Sequence, residues 1–158
     1  MMNMELYLVR HGSAGTAPRD ELRRLTSEGR RDVERLARGL VRMKLVLAEI
    51  RHSGLLRAEE TAEIVSAALR PARGVAECEG LEPEDDPATA RQAAAALQES
   101  VMFVGHLPHL GRLASLLLVG NPSVGLVSFG TATAACLSRD PAGKWILKWV
   151  LTPETAGE

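Results

Sequence analysis

The stretch LYLVRHGSAG, residues 6–15, decides how the rest of the chain is read. Met4 to Val9 is a short apolar run with aromatic and β-branched members, which predicts a buried strand. Arg10, His11 and Gly12 follow without a break, and a loop rich in Gly, Ser and Pro begins. Standing alone, His11 reads as a loop histidine. Whether it is more depends on what the remainder of the chain brings to the end of that strand.

Working outward, strands and helices alternate. LTSEGRRDVERLARGLVRM (25–43) predicts a helix with Thr26 or Ser27 as N-cap and Glu28 in the first turn. Val33, Leu36, Ala37, Leu40 and Val41 recur on one helical face. LVLAEIRHS (45–53) predicts a second strand. LLRAEETAEIVSAAL (55–69) predicts a second helix, with Leu56, Thr61, Ile64, Val65 and Ala68 turned inward and Pro71 ending it. GVAECEGL (74–81) is a third, weaker strand, EPEDDPATA an acidic turn, and 88–99 a helix by propensity. SVMFVG (100–105) is a clear buried strand. LPHLGRLASLLLVG (107–120) is a helix with Pro108 near its first turn. From residue 123 onward three strand-like runs follow, the last two joined by a hairpin turn at RDPAGK.

Alternation through residue 119 predicts an α/β fold: a three-layer α/β/α sandwich whose central sheet is mainly parallel, with antiparallel C-terminal strands. The 158 residues fit a single domain, 1–158. Aromatics are only 3% of the chain, so aliphatic residues and alanine must build the core. A net charge of −1 argues against wholesale nucleic-acid binding or adhesion to acidic membranes. The 19 basic residues are nearly all arginine, with lysine only at 44, 144 and 148. Cys78 and Cys136 form no CxxC pair and read as inert thiols of a cytoplasmic protein. The first residues have no basic n-region ahead of a long apolar run, so no secretory leader is expected. No apolar stretch approaches the ~20 residues of a membrane span.

In open sheets of this kind, ligands bind beyond the carboxyl ends of the strands. Arg10 and His11 follow the first strand, Arg57 opens the helix after the second, and His106 follows SVMFVG. The topology should therefore bring two arginines and two histidines together, a set suited to a phosphoryl group. A planar guanidinium grips two phosphate oxygens at once. Cationic donors around a phosphoryl group in transfer stabilise the charge on its equatorial oxygens. A neutral imidazole can attack phosphorus and become phosphohistidine. Flanking arginines disfavour imidazolium, so His11 should stay neutral near pH 7.

LVRHG (8–12), SGLLRAEETA (53–62) and VGHLPHLGRLA (104–114) stand in the order and contexts of the histidine phosphatase superfamily, the phosphoglycerate-mutase-like or RHG family, which this chain resembles. The resemblance implies that His11 is the phosphorylated nucleophile, that Arg10 and Arg57 bind the phosphoryl group, and that His106 supports it from the other side. It implies no metal and no cofactor. Gly12 and Ser13 fall within the phosphate-binding turn. Mutases and sugar-phosphate phosphatases of this family carry a longer covering insertion after the second motif. Here only 24 positions separate Arg57 from Leu81. The chain is thus similar to the small, uncovered phosphohistidine phosphatases of the SixA type, which act on histidine phosphotransfer domains.

Imidazole, with a reference pKa near 6.5, leaves more readily than an alkoxide, so a weaker or shared acid suffices. Glu79 and Glu82 are the candidate proton donors, and His106 is a third. One departure from the family pattern is Gly54, where proline is usual. It should loosen the turn without removing a functional group. His52 reads as a surface or strand-end residue. Three other readings compete. One is a phosphatase of small phosphoesters. Another is a non-catalytic phospho-binding module. The third is a metal hydrolase built on His106 and His109, which the intervening proline and nearby arginines oppose.

Overall fold

The computed structural model describes residues 4–157. Its strands are β1 (Met4–Arg10), β2 (Glu49–His52), β3 (Val75–Glu77), β4 (Val101–Gly105), β5 (Ala134–Arg139) and β6 (Trp145–Leu151). Its helices are α1 (Ser27–Arg42), α2 (Leu56–Leu69), α3 (Pro87–Ala95), α4 (His109–Val119) and α5 (Pro153–Ala156), with a single 3-10 turn at Asp20–Leu22. The sheet runs β3-β2-β4-β1-β5-β6. β1, β2, β3 and β4 pair in parallel, and β5 and β6 close the far side antiparallel.

Because side chains alternate across a strand, β1 feeds both faces. Leu6 and Leu8 join one buried cluster with Phe103, Leu110, Leu113 and Leu137. Tyr7 and Val9 join the other with Val33, Leu36, Leu40, Ile50 and Val65. The helices lie on opposite faces as the alternation predicts, with α1 packed on α2 and α3 on α4. Thr26 is the N-cap of α1, accepting from the Gly29 N–H at 2.9 Å. The hairpin turn at 139–144 forms as expected, the Asp140 N–H donating to the Lys144 carbonyl.

Three expectations are corrected. The run at 123–129 is not a strand. β5 already occupies the open edge of β1, and this segment's carbonyls go to side chains instead: Val124 accepts from Ser115 Oγ and Phe129 from Arg10. Its apolar character is spent on burying Phe129. Second, Val41 is exposed although it continues the apolar face of α1. Third, the inward face of α2 agrees with the predicted one at Thr61 and Val65, with Ile64 packed against the core, and departs from it elsewhere. Ala68 is exposed and Leu56 half-buried, while Arg57, Ala58, Glu60, Thr61, Ala62 and Val65 are buried. Hydropathy assigns charged residues to solvent. Arg57 and Glu60 are buried because they find partners.

Candidate active site

The register places the site. Arg10, the last residue of β1, lies beside Gly105, the last residue of β4. His11 and His106 are the next residues along each strand, and their ring centroids are 4.9 Å apart. The main chain of His11 is held on both sides, its N–H donating to the Gly105 carbonyl at 3.1 Å and its carbonyl accepting from Ala132 at 3.0 Å. The third and fourth elements arrive from β2. Ser53 follows the strand, and Arg57 sits in the first turn of α2. α2 and α4 both begin here with no side-chain cap, so their positive ends add to the field.

His11 is buried, and its Nδ1 lies 2.7 Å from the Gly12 carbonyl. A carbonyl only accepts, so Nδ1 carries the proton and Nε2 keeps its lone pair. Burial lowers the imidazole pKa to about 4, with help from the charges of Arg57, Arg10 and Arg23, against the opposing pull of the Gly12 carbonyl. The neutral ring foreseen from its arginine neighbours is therefore secured first by desolvation. His106 is held lower, to about 3, by burial and then by His11 and Arg57. Its Nε2 lies 2.6 Å from Ser53 Oγ.

The two arginines are each tied by one end. Arg10 Nη1 donates to the Phe129 carbonyl at 2.9 Å, and burial lowers its pKa. Arg57 donates through Nη1 to the Asp20 carbonyl at 3.0 Å and through Nη2 to the Asp20 carboxylate at 3.2 Å. Arg10 Nε, Arg57 Nε and His106 Nδ1 are all buried and all without a hydrogen-bond partner.

The remaining predicted residues divide. The Gly12 N–H is spent on Thr61 Oγ1 at 3.1 Å, and a Cβ there would come within 2.7 Å of Val33 Cγ2. Gly12 thus lets the turn pack against α1. Ser13 Oγ lies 3.3 Å from Thr131 Oγ1, and its carbonyl accepts from the Thr26 N–H. Glu82 is exposed on an open groove of about 640 Å³ that it shares with Asp20, Glu21, Leu55, Glu84 and Asp85. Glu79 is also exposed, and lines a neighbouring depression with Asp86 and Thr89. The groove of Glu82 reaches Asp20 and through it Arg57.

Near the second motif one reading is narrowed, His52 lying at the strand end, and one is revised, that of Gly54. His52 is a buried strand-end residue, and its Nδ1 accepts from the Gly54 N–H at 3.0 Å. Gly54 has φ +93°, and a Cβ there would meet the Glu77 carboxylate at 2.7 Å. Proline, with φ near −65° and no N–H, fits neither feature. Glycine here specifies a different turn rather than loosening the usual one. His109 is fully buried with both ring nitrogens unpartnered. Among the described residues, no three His, Cys, Asp or Glu side chains gather as a metal-binding group.

Sequence reasoning missed Asp20 and Arg23. Asp20 bridges the site, with Oδ2 on Arg57 and Oδ1 3.2 Å from Arg23 Nη1, while Arg23 Nε donates to the Gly15 carbonyl. The hydrogen bond from Arg23, then the charge of Arg57, holds the Asp20 carboxyl below its usual range. Both lie in a loop without periodicity, so only the closeness of several charges around Asp20 and Arg23 hinted at them.

This arrangement of fold and side chains is that of a known class. Residues 6–98 match the family model of the histidine phosphatase superfamily (branch 1), and the chain belongs to that superfamily. Within it, the chain is of the SixA type, a phosphatase. It is 28% identical to the phosphohistidine phosphatase SixA of Escherichia coli (strain K12), covering 95% of this chain and 94% of that protein. The solved structure of the protein histidine phosphatase SixA complexed with tungstate superposes with a TM-score of 0.87 at 28% identity, covering 95% of this chain and 97% of that one. An uncharacterized protein of Picosynechococcus sp. (strain ATCC 27264 / PCC 7002 / PR-6) is 36% identical over 75% of each chain.

Proposed function

We propose that this protein hydrolyses phosphohistidine on a partner protein, through a phosphoryl intermediate on His11. The observation that carries the reading is the set of buried nitrogens without partners. Buried polar groups are nearly always paired, and each exception calls for an explanation. Arg10 Nε and Arg57 Nε are two such donors and His106 Nδ1 is a third unpaired nitrogen, on residues gathered beside His11. A phosphoryl group would satisfy all of them. Tungstate, a tetrahedral oxyanion, is bound by the related SixA.

In this mechanism the His11 Nε2 lone pair forms a bond to phosphorus as the substrate N–P bond breaks. The departing imidazole nitrogen takes a proton from water. Arg10, Arg57 and His106 hold the equatorial oxygens while charge builds on them. Water then adds to phosphorus, the His11–phosphorus bond breaks, and phosphate leaves with a proton released to solvent. Gly12 and Ser13 shape the turn that carries His11, and the step uses no cofactor. Only 24 positions separate Arg57 from Leu81, too few for a long covering insertion, which favours a protein-borne substrate, and a histidine phosphotransfer domain is the partner of choice. The same reading makes the protein cytoplasmic, in keeping with two cysteines that remain thiols.

A second reading has one observation in its favour. Glu82 shares its groove with Asp20, the residue on Arg57, and could protonate the alkoxide that a small phosphoester must release. The test sets a phosphohistidine-bearing domain against a panel of phosphoesters. Preferential turnover of the former, unaffected by Glu82→Gln, is expected. Turnover of phosphoesters alone, lost in Glu82→Gln, would select the second reading. Rapid-quench labelling should trap an acid-labile, alkali-stable phosphoenzyme that His11→Ala lacks.

A further inference from the structure

We infer that Ser53 is a positioning residue that holds His106 in the tautomer protonated on Nδ1, so that an N–H, not a lone pair, is offered to the phosphoryl group. The inference rests on the phosphatase reading only for the identity of the anion.

The hydrogens around Ser53 and His106 can be placed one by one. At neutral pH His106 is uncharged and has one ring proton to place, since burial and the charge of Arg57 disfavour imidazolium. Ser53 Oγ has two neighbours. The Leu55 N–H donates to it at 3.2 Å, and His106 Nε2 lies at 2.6 Å. Suppose the ring proton sat on Nε2. Ser53 Oγ would then accept twice, and its own hydroxyl hydrogen would have no acceptor. Nδ1 would be a buried lone pair with no donor. With the proton on Nδ1, the Ser53 hydroxyl donates to Nε2 while its oxygen accepts from Leu55, and every hydrogen on that side is placed. One group is left over, the Nδ1–H itself.

That single orphan matches the other two. Arg10 Nε and Arg57 Nε are also buried donors without acceptors. Three unpaired donors suit one incoming oxyanion, whereas a lone pair among them would repel it. Ser53 achieves this from outside the reacting atoms, because α2 begins three residues later and the Leu55 N–H fixes the orientation of its hydroxyl. The serine stands in the second sequence motif, yet its partner lies 53 residues away at the end of β4.

The test reads the tautomer directly. In long-range ¹H–¹⁵N spectra of the resting, histidine-labelled protein, with the four histidines assigned by single variants, His106 should show a protonated Nδ1 and a bare Nε2. A protonated Nε2 in the wild type overturns the proposal. Ser53→Ala should give a mixed tautomer population and weaken tungstate binding by about tenfold, the scale of one hydrogen bond to a charged acceptor. Ser53→Thr, which keeps the hydroxyl, should restore the wild-type tautomer. Should Ser53→Ala fail to fold, Ser53→Cys, a weaker donor, takes its place with a partial shift expected. An unchanged tautomer in whichever of the two folds refutes the role of Ser53. None of these readouts involves turnover. Absent phosphohistidine hydrolysis, or a resting protein that binds no tungstate at all, would count against the phosphatase reading instead.

Discussion

Two buried charges stand three residues apart on α2 and behave in opposite ways. Glu60 is 4% exposed and accepts from the Leu25 N–H at 2.9 Å, from Arg24 Nε at 3.2 Å and from Arg30 Nη2 at 3.1 Å. It pins the entry of α1 to α2. Arg57 is equally buried, yet its Nε has no partner, and the groups it does hold belong to one exposed loop residue, Asp20. A buried charge with both of its oxygens partnered is structural. One that keeps an unpaired N–H at the carboxyl edge of a sheet is prepared for a ligand. The comparison separates stability from function within a single helical turn, and mutations can test it.

The largest effect belongs to His11→Ala, which should reduce phosphatase turnover to background while leaving the fold intact by circular dichroism. Substantial residual activity would refute the nucleophile. Arg57→Ala should lower kcat by about 10²–10³, the scale of losing a principal electrostatic donor. Arg57→Lys should not restore it, because a point charge cannot grip two oxygens. Glu60→Ala should invert that pattern. Arg24 and Arg30 are exposed and return to solvent, but the buried Leu25 N–H loses its acceptor at a cost of ~1–3 kcal/mol, visible as a lowered denaturation midpoint. Turnover of the folded fraction should change far less than in Arg57→Ala. If Arg57→Ala proves the more destabilising of the two, the comparison fails.

Acid provides a finer probe. His11 and His106 have pKa values depressed to about 4 and 3, so the unfolded chain binds more protons than the folded one as pH drops below 6.5. Their contribution to stability is full above that value and is lost as pH falls toward 4. Denaturation measured from pH 7 to pH 4 should show this decline, and it should be shallower in His11→Ala. The smallest effect is expected at Asp20. Its carboxylate is 60% exposed, and such pairs contribute at most ~1 kcal/mol. Asp20→Ala should therefore tighten tungstate binding only about two- to fivefold, by freeing Arg57. Weaker binding in the variant would mean that Asp20 orients the guanidinium instead of competing for it.

How legible the site was depends on where each residue sits in the chain. Arg10, His11, Arg57 and His106 could be read because each directly follows or opens an element whose pattern is plain. The parallel topology that brings them together follows from strands and helices taking turns. Asp20 and Arg23 could not be read, since they lie in a loop whose path is set by contacts with α2 and with the Gly15 carbonyl. The run at 123–129 looked like a strand because Val127 and Phe129 alternate with small residues. β5 takes the free side of β1 instead, and the carbonyls of Val124 and Phe129 go to side chains. Gly54 was misjudged because a strand-end turn is specified by φ and one hydrogen bond, neither of which leaves a hydropathy pattern.

Local sequence alone therefore determined the elements, their order and the residues at their carboxyl ends, because period and capping act within a few residues. Tertiary structure decided the protonation state of His11, the pairing of Ser53 with His106, and which buried charge was left with a free N–H. Those depend on burial and on atoms brought together from 30 to 120 residues apart, and desolvation and hydrogen-bond geometry exist only once the chain has folded.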